Sequence, residues 1–153
     1  MSAPQKFRLG DLLVQAGLIT DAQLQEGLQE QRNSGRKLGR VLIDREWLTE
    51  AQIAKAVARQ IHAPFVDLVH FPLKPELAQQ LPETHARRMR AIVLDETPAG
   101  LLVGMADPTD IYAYDEIARL LKRNVDLAVV TESHLLTALD RAYRSTKEIE
   151  GLA

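Results

Sequence analysis

The sequence of 153 residues contains no cysteine, which excludes disulfides, thiolate metal sites and cysteine nucleophiles. Aromatic residues make up only 5%, and no apolar run approaches the roughly 20 residues that a membrane helix needs. Neither sign of charge dominates, because 19 Lys and Arg face 21 Asp and Glu. This balance gives no general attraction for nucleic acid or acidic membranes. The hydrophobic content of 46% instead predicts a packed globular chain.

Motifs for catalysis are also lacking. The chain has neither the glycine-rich lysine loop that cradles nucleotide phosphates nor the Gly-x-Ser-x-Gly turn of serine hydrolases. Its four histidines, His62, His70, His85 and His134, have no metal-ligand spacing. The sequence therefore predicts a binding domain without a metal or a cofactor, not an enzyme.

What the sequence does contain is an internal repeat. Residues 8–31 align without gaps on residues 37–60, and seven of the 24 positions are identical. Each copy starts with Arg or Lys followed by Leu-Gly, and each ends with Gln. Repeats decide architecture before single motifs do, so the first sixty residues are predicted to form one duplicated unit.

Each copy reads as a helical hairpin. Short helices are expected at about 9–16 and 38–45, and Gly17 ends the first of them in a left-handed turn. The second helix of each copy opens with a capping box, Thr-Asp-Ala-Gln or Thr-Glu-Ala-Gln, and is expected to end near the final Gln. The polar stretch 32–36 is predicted to be a turn-rich linker.

The remaining sequence predicts an α/β arrangement. Strands are expected at 64–68, 90–95, 101–105 and 125–130, and helices at 75–80, 83–88, 110–122 and 131–143. The segment 107–109 supplies start signals for one helix, and Thr131 is predicted to cap the last. The fold class is α+β: a four-helix subdomain over 1–62 made of the duplicated hairpin, then a small α/β subdomain over 63–145. Residues 146–153 are expected to be a linker to a downstream region.

The repeat also combines groups that suit a ligand with phosphates and bases. Residues 1–61 hold nine Lys and Arg against seven Asp and Glu, whereas 62–153 hold ten against fourteen. A cation suits a phosphate, a glycine at a helix start allows close approach, and a glutamine suits the mixed edge of a base. Packing alone explains the apolar spacing, but it does not explain why the Arg/Lys-Leu-Gly start and the Gln end recur together.

In these features the chain resembles the MshEN domain, the amino-terminal region of type II secretion and type IV pilus ATPases of the GspE/MshE kind. That family carries two 24-residue motifs with five residues between them, as residues 8–31 and 37–60 do here. The resemblance extends through Pro64-Phe-Val-Asp-Leu68 and Val103-Gly-Met-Ala-Asp-Pro108 to the closing helix.

The resemblance implies that the chain binds the second messenger cyclic di-GMP and transmits its level to a downstream ATPase domain. It also implies an inner-membrane secretion or pilus assembly partner and a cytoplasmic location at the inner face of the bacterial inner membrane. Carried over by position, the ligand-binding residues are Arg8, Leu9, Gly10, Leu24, Leu28, Gln31, Lys37, Leu38, Gly39, Ile53, Val57, Gln60 and, from the second subdomain, Asp107.

One departure keeps an alternative open. The middle glycine of the motif is Gly17 in the first copy but Glu46 in the second, where a carboxylate near a phosphate would repel it. The alternative is a nucleotide-free docking module that links an ATPase to inner-membrane assembly proteins. Nucleic-acid binding through the basic cluster Arg32, Arg36, Lys37 and Arg40 is disfavoured, because the chain otherwise lacks a basic face and interleaved aromatics.

Overall fold

The computed structural model describes residue 4 and residues 7–152, and of residues 145–152 only the backbone. The helices are α1 Leu9–Gln15, α2 Asp21–Ser34, α3 Leu38–Asp44, α4 Glu50–Gln60, α5 Pro75–Ala78, α6 Glu83–Met89, α7 Ile111–Leu121 and α8 Glu132–Leu152. The strands are β1 Ala91–Glu96, β2 Leu101–Met105 and β3 Val125–Val129. This confirms the α+β fold class. In this described part of the chain, no helix is both long and apolar enough to span a membrane.

The capping boxes of the two copies are confirmed. Thr20 Oγ1 accepts a hydrogen bond from the amide of Gln23 at 3.1 Å, and the Gln23 side chain accepts one from the amide of Thr20 at 2.9 Å. Thr49 and Gln52 form the same pair of bonds at 3.1 and 2.9 Å. Each box satisfies two amides that the first turn of a helix leaves unpaired, and it therefore fixes where α2 and α4 begin.

The turn inside each copy uses a left-handed residue. Gly17 has a φ of 73° and Glu46 a φ of 62°. Glycine takes this conformation without a steric penalty, whereas a residue with a Cβ pays about 1–2 kcal/mol. The same backbone bond closes both turns, from Leu18 N to Leu13 O and from Trp47 N to Leu42 O. The fold therefore imposes the motif's turn on Glu46 despite the missing glycine.

The predicted end of the first copy is wrong. Helix α2 continues past Gln31 to Ser34, so most of the expected linker 32–36 is helical. It ends because Gly35 takes a left-handed C-cap with a φ of 73°, and its amide donates to the carbonyl of Gln31 at 2.8 Å. Helix α4 does end at Gln60, as expected.

The sheet has the order β1-β2-β3. Strands β1 and β2 form the predicted antiparallel hairpin, and β2 pairs with β3 in parallel through the crossover helix α7. The strand predicted at 64–68 is wrong: Phe65 makes only an isolated bridge to Val129. The ladder cannot extend, since Pro64 has no amide hydrogen and Asp67 accepts a hydrogen bond from the amide of Val69 in a turn.

Helix α4 joins two hydrophobic clusters. Its Ala54 and Ala58, with Ile61 directly after its end, pack with the sheet and α5–α8, whereas its Ala56 packs with the buried leucines of α1 to α3. Small side chains at positions 54 and 58 allow the helix to lie close against the sheet. Ile53, Ala54 and Val57 of α4 border a common cleft with the carboxyl ends of β2 and β3.

Helix α8 begins where predicted but runs beyond residue 143 to Leu152. The predicted cap is wrong, because the buried Thr131 Oγ1 has no hydrogen-bond partner among the described residues. Further along the helix, the Tyr143 hydroxyl donates to the carbonyls of Ala78 and Leu81, which holds α8 against α5. Burial raises the pKa of Tyr143 to about 12.

Candidate ligand-binding site

A cleft of about 440 Å³ lies between the helical repeat and the sheet. Its walls come from the start of α1, from α3 and α4, from the loop after β2, and from the segment that joins β3 to α8. It is lined by Phe7, Leu9, Lys37, Leu38, Gly39, Arg40, Ile43, Glu50, Ile53, Ala54, Val57, Arg90, Ala106, Asp107, Pro108, Thr109, Val129, Val130, Thr131 and Glu132. This volume lies within the range of small-molecule sites, roughly 300–1,000 Å³.

The floor of the cleft is apolar. Ile53 and Val57, one turn apart on α4, face it together with Leu9 and Leu38 from the two helix starts. Val57 is 6% exposed and Leu38 8%, so these side chains are fixed by packing. Such a floor suits the flat face of a planar group, which gains apolar contact without requiring a hydrogen bond.

The rim carries three cations and three acids. The cations are Lys37, Arg40 and Arg90, and the acids are Glu50, Asp107 and Glu132. Lys37 is exposed and forms no ion pair within the described part of the chain. Its ammonium group is therefore available to an anion.

Glu50 ties the repeat to the second half of the chain. Its carboxylate accepts hydrogen bonds from the amide of Ser133 at 3.1 Å and from the Ser133 hydroxyl at 2.7 Å. Burial raises the pKa of Glu50, but the bonds from Ser133 and the charge of Arg40 outweigh it and hold the pKa below the ordinary value. Glu50 is thus an anion at neutral pH whose hydrogen bonds connect the starts of α4 and α8.

Asp107 lines the cleft and does not cap α7. Its Oδ1 accepts hydrogen bonds from the amide of Thr109 at 3.0 Å and from the Thr109 hydroxyl, in a local turn. The cap of α7 is Asp110, which accepts from the amide of Ala113 at 2.9 Å. Oδ2 of Asp107 accepts no hydrogen bond from the described residues, so one carboxylate oxygen remains for a ligand.

The structure brings together seven of the thirteen residues predicted for the site. Those that line the cleft are Leu9, Lys37, Leu38, Gly39, Ile53, Val57 and Asp107. The other six, which lie outside its lining, are Arg8, Gly10, Leu24, Leu28, Gln31 and Gln60. The cleft is therefore built on the second copy of the repeat, with Leu9 as the contribution of the first.

Gly10 does not have the open surroundings that the sequence suggested. A Cβ placed on Gly10 would lie 2.4 Å from Leu24 Cδ1 and 3.3 Å from Leu38 Cδ2. Gly10 and Leu24 are buried against each other, so this glycine is needed for packing. At Gly39, by contrast, the nearest atom to such a Cβ is Leu9 Cδ2 at 3.6 Å.

Sequence reasoning missed Arg90, Thr131 and Glu132. All three line the cleft, but they lie far from the repeat in the sequence and belong to no motif. Nothing local in the sequence marks them, because only the packing of α4 on the sheet places them beside residues 37–57. Phe7 was also missed, although its position directly before the first motif was a usable signal.

The class of protein that this fold defines is a small α+β domain in which a helical repeat packs on a mixed sheet, with a cleft of apolar floor and charged rim between them. Groups of three or more His, Asp or Glu side chains arranged to hold a metal ion do not occur in the described residues. The cleft instead offers apolar contact, fixed charges and hydrogen-bond acceptors. These groups suit binding of a small polar molecule.

The chain belongs to the MshEN domain family, whose sequence profile matches residues 61–149. It is 33% identical over 138 residues to the type IV pilus assembly ATPase PilB of Thermus thermophilus, and 28% identical over 136 residues to PilB of Myxococcus xanthus. Both matches cover 89% of this chain but only 16% and 24% of the respective relative, so the chain spans a quarter or less of their length. A solved structure of MshE with cdg has a TM-score of 0.81 and 36% identity, and the match covers 90% of this chain and all of that one.

Proposed function

We propose that this chain binds cyclic di-GMP in the cleft and acts as a regulatory domain of a pilus or secretion ATPase. The observation that carries the proposal is the cleft itself, in which the second motif copy and Asp107 meet around an apolar floor. The likeness to MshE with cdg over the whole of that chain supports the same ligand.

The chemistry of the cleft matches the parts of this ligand. The ligand carries two phosphates, and Lys37 is an unpaired cation among the described residues. Its guanines have flat faces for Ile53 and Val57, and amino and imino hydrogens for Oδ2 of Asp107. We infer that the exposed Arg8 and the half-buried Leu28 and Gln31 contact the second half of the ligand where it extends past Leu9.

Glu46 does not oppose this function. It lies outside the cleft lining and is exposed to solvent. Its carboxylate is therefore not one of the charges that border the cleft.

Calorimetric titration of the chain with cyclic di-GMP tests the proposal, with GTP and cyclic di-AMP as competitors for selectivity. We expect selective one-to-one binding that Lys37→Ala weakens about tenfold, because a hydrogen bond to a charged group is lost. Arg59→Ala is the matched control, since Arg59 is an exposed cation on α4 outside the cleft lining and should leave the affinity within about twofold. Equal losses from the two substitutions would place the ligand elsewhere.

Two further outcomes separate the remaining possibilities. Weakening by Arg8→Ala supports a ligand that spans both copies, whereas an unchanged affinity confines it to the second copy and the sheet. An absence of heat with every nucleotide would remove the receptor function and leave the docking module. For a docking module, the contact surface to test would be the exposed pair Ile111 and Tyr112 on α7. Tyr112 is 89% exposed.

The regulatory role extends the same proposal to partners and location. A domain of this family in a PilB-like protein would report the level of cyclic di-GMP to an ATPase domain in the same polypeptide, working with an inner-membrane assembly protein at the cytoplasmic face. Such signalling requires that the ligand favour one of two arrangements of the domain.

A further inference from the structure

A charge cluster on the cleft rim joins three separate segments of the chain. Arg40 comes from α3, Arg90 from the end of α6, and Glu132 from the first turn of α8. Arg90 Nε donates to Glu132 Oε1 at 2.9 Å, and Arg40 Nη2 lies 4.0 Å from Glu132 Oε2. Two guanidinium groups therefore share one carboxylate.

Within this cluster two positive charges face one negative charge, while the whole rim carries three cations and three acids. The contact of Arg40 is at the outer limit of an ion pair, and the side chains of Arg40 and Arg90 are each 43% exposed. A phosphodiester presents two anionic oxygens much as a carboxylate does, and guanidinium groups bind both in the same geometry. Glu132 thus occupies a position that chemically suits a phosphate.

Arg90 is held in place independently of Glu132. The backbone of Arg90 is left-handed, with a φ of 52°, and its Nη1 donates a hydrogen bond to the carbonyl of Arg87 at 2.8 Å. Its own carbonyl accepts from the amide of Ala106 at 3.1 Å, which fixes it beside the loop that carries Asp107. If a phosphate replaces Glu132 as its partner, the guanidinium group of Arg90 can therefore keep its orientation toward the cleft.

We propose that Arg40 and Arg90 bind a phosphate group of the ligand and that Glu132 competes with that phosphate for the two guanidinium groups. The inference rests on the proposed function, since it assigns residues to the same anionic ligand. Binding then exchanges one carboxylate for one phosphate, with no net loss of ion pairs for the arginines. Glu132 lies on the first turn of α8, so the exchange acts directly on the start of that helix.

The competition predicts an unusual direction of change. Glu132→Gln removes the competing charge and is expected to bind cyclic di-GMP about two- to tenfold more tightly than the unmodified chain, as measured by calorimetric titration. Arg40→Gln and Arg90→Gln are each expected to weaken binding several-fold. A structural role for Glu132 alone would instead leave the affinity unchanged or reduce it.

Two comparisons distinguish exchange from a general effect of charge. Glu50→Gln removes another acid from the same cleft. Its carboxylate is bonded to Ser133 and acts on Arg40 only through its charge, so this substitution should give a smaller gain than Glu132→Gln. In a background that carries both Arg40→Gln and Arg90→Gln, the gain from Glu132→Gln should vanish, because the interaction is then absent. An equal gain from Glu50→Gln, or a gain that survives without the arginines, would overturn the inference. Thermal unfolding of each variant checks that it is folded.

The outcomes for the proposed function are separate. If the unmodified chain binds cyclic di-GMP but Glu132→Gln binds no more tightly, the inference fails and the proposed function stands. If neither protein binds cyclic di-GMP, both fail together. Glu132→Asp gives a second test: its shorter side chain keeps the charge but withdraws it from the guanidinium groups, so its affinity should lie between those of the unmodified chain and Glu132→Gln.

Discussion

The two copies of the repeat have matching local structure but different surroundings. Both have a short first helix, a left-handed turn and a capping box. In the first copy, 8–31, Gly10 and Leu24 are buried in the helical core, and Leu9 alone of its predicted site residues lines the cleft. The second copy, 37–60, supplies five of the predicted site residues to the cleft and rests on the sheet through α4. The same motif therefore serves packing in one place and a candidate site in the other. Matched substitutions at equivalent positions can test this difference.

The largest expected difference concerns the motif glycines. We predict that Gly10→Ala lowers the free energy of unfolding by about 2 kcal/mol, because the added Cβ overlaps Leu24 Cδ1 in a buried setting. Gly39→Ala should change it by less than about 0.5 kcal/mol, since the nearest atom is 3.6 Å away. Urea denaturation of the two variants measures both. Equal losses would mean that the copies are packed alike after all.

A smaller difference in stability is expected between substitutions at Asp21 and Glu50, the first residues of α2 and α4, which are equivalent positions in the repeat. Glu50→Gln should lower the free energy of unfolding by about 1 kcal/mol at pH 7, because a neutral amide replaces the charged carboxylate that accepts hydrogen bonds from Ser133. Asp21→Asn is the control, since Asp21 has the same place at a helix start and has no such bond. Asp21→Asn should lower the free energy of unfolding by only about a few tenths of a kcal/mol.

The Glu50 contribution should also depend on pH. Its pKa is held below the ordinary value of 4.5, so the stabilisation is fully present above pH 4.5 and is lost as the pH falls through the folded-state pKa. The gap between the unmodified chain and Glu50→Gln should therefore close in acid. A gap that stays constant from pH 7 to pH 3 would mean that the charge of Glu50 is irrelevant.

The smallest expected effect has the opposite sign. We predict that Glu46→Gly raises the free energy of unfolding by about 0.5 kcal/mol, because glycine relieves the left-handed strain while adding freedom to the unfolded chain. Gly17→Ala should lower it by about 1 kcal/mol for the converse reason. Thermal denaturation of both variants is the measurement. Destabilisation by Glu46→Gly would show that the Glu46 side chain makes a contact worth more than the strain.

Much of the fold was predictable from local signals. The capping boxes predicted the starts of α2 and α4, and Gly17 predicted the end of the first helix. Two apolar segments on either side of a turn predicted the β1–β2 hairpin, and a valine-rich segment predicted β3. The errors came where a local signal was ambiguous. Residues 32–34 look like a linker but continue α2 to the stronger stop at Gly35, and residues 64–68 look like a strand but pair only at Phe65.

The sequence by itself determined the repeat, its helices and the residue types available to a ligand, because these depend on spacing along the chain. Only the tertiary structure decided which copy faces the cleft. That choice follows from Ala54 and Ala58, which allow α4 to lie against the sheet and so place Ile53 and Val57 opposite Asp107. The same packing brings Arg40, Arg90 and Glu132 together from segments about fifty and forty residues apart in the chain. Contacts across such separations are fixed by burial of apolar surface between elements, and no periodic pattern within one segment specifies them.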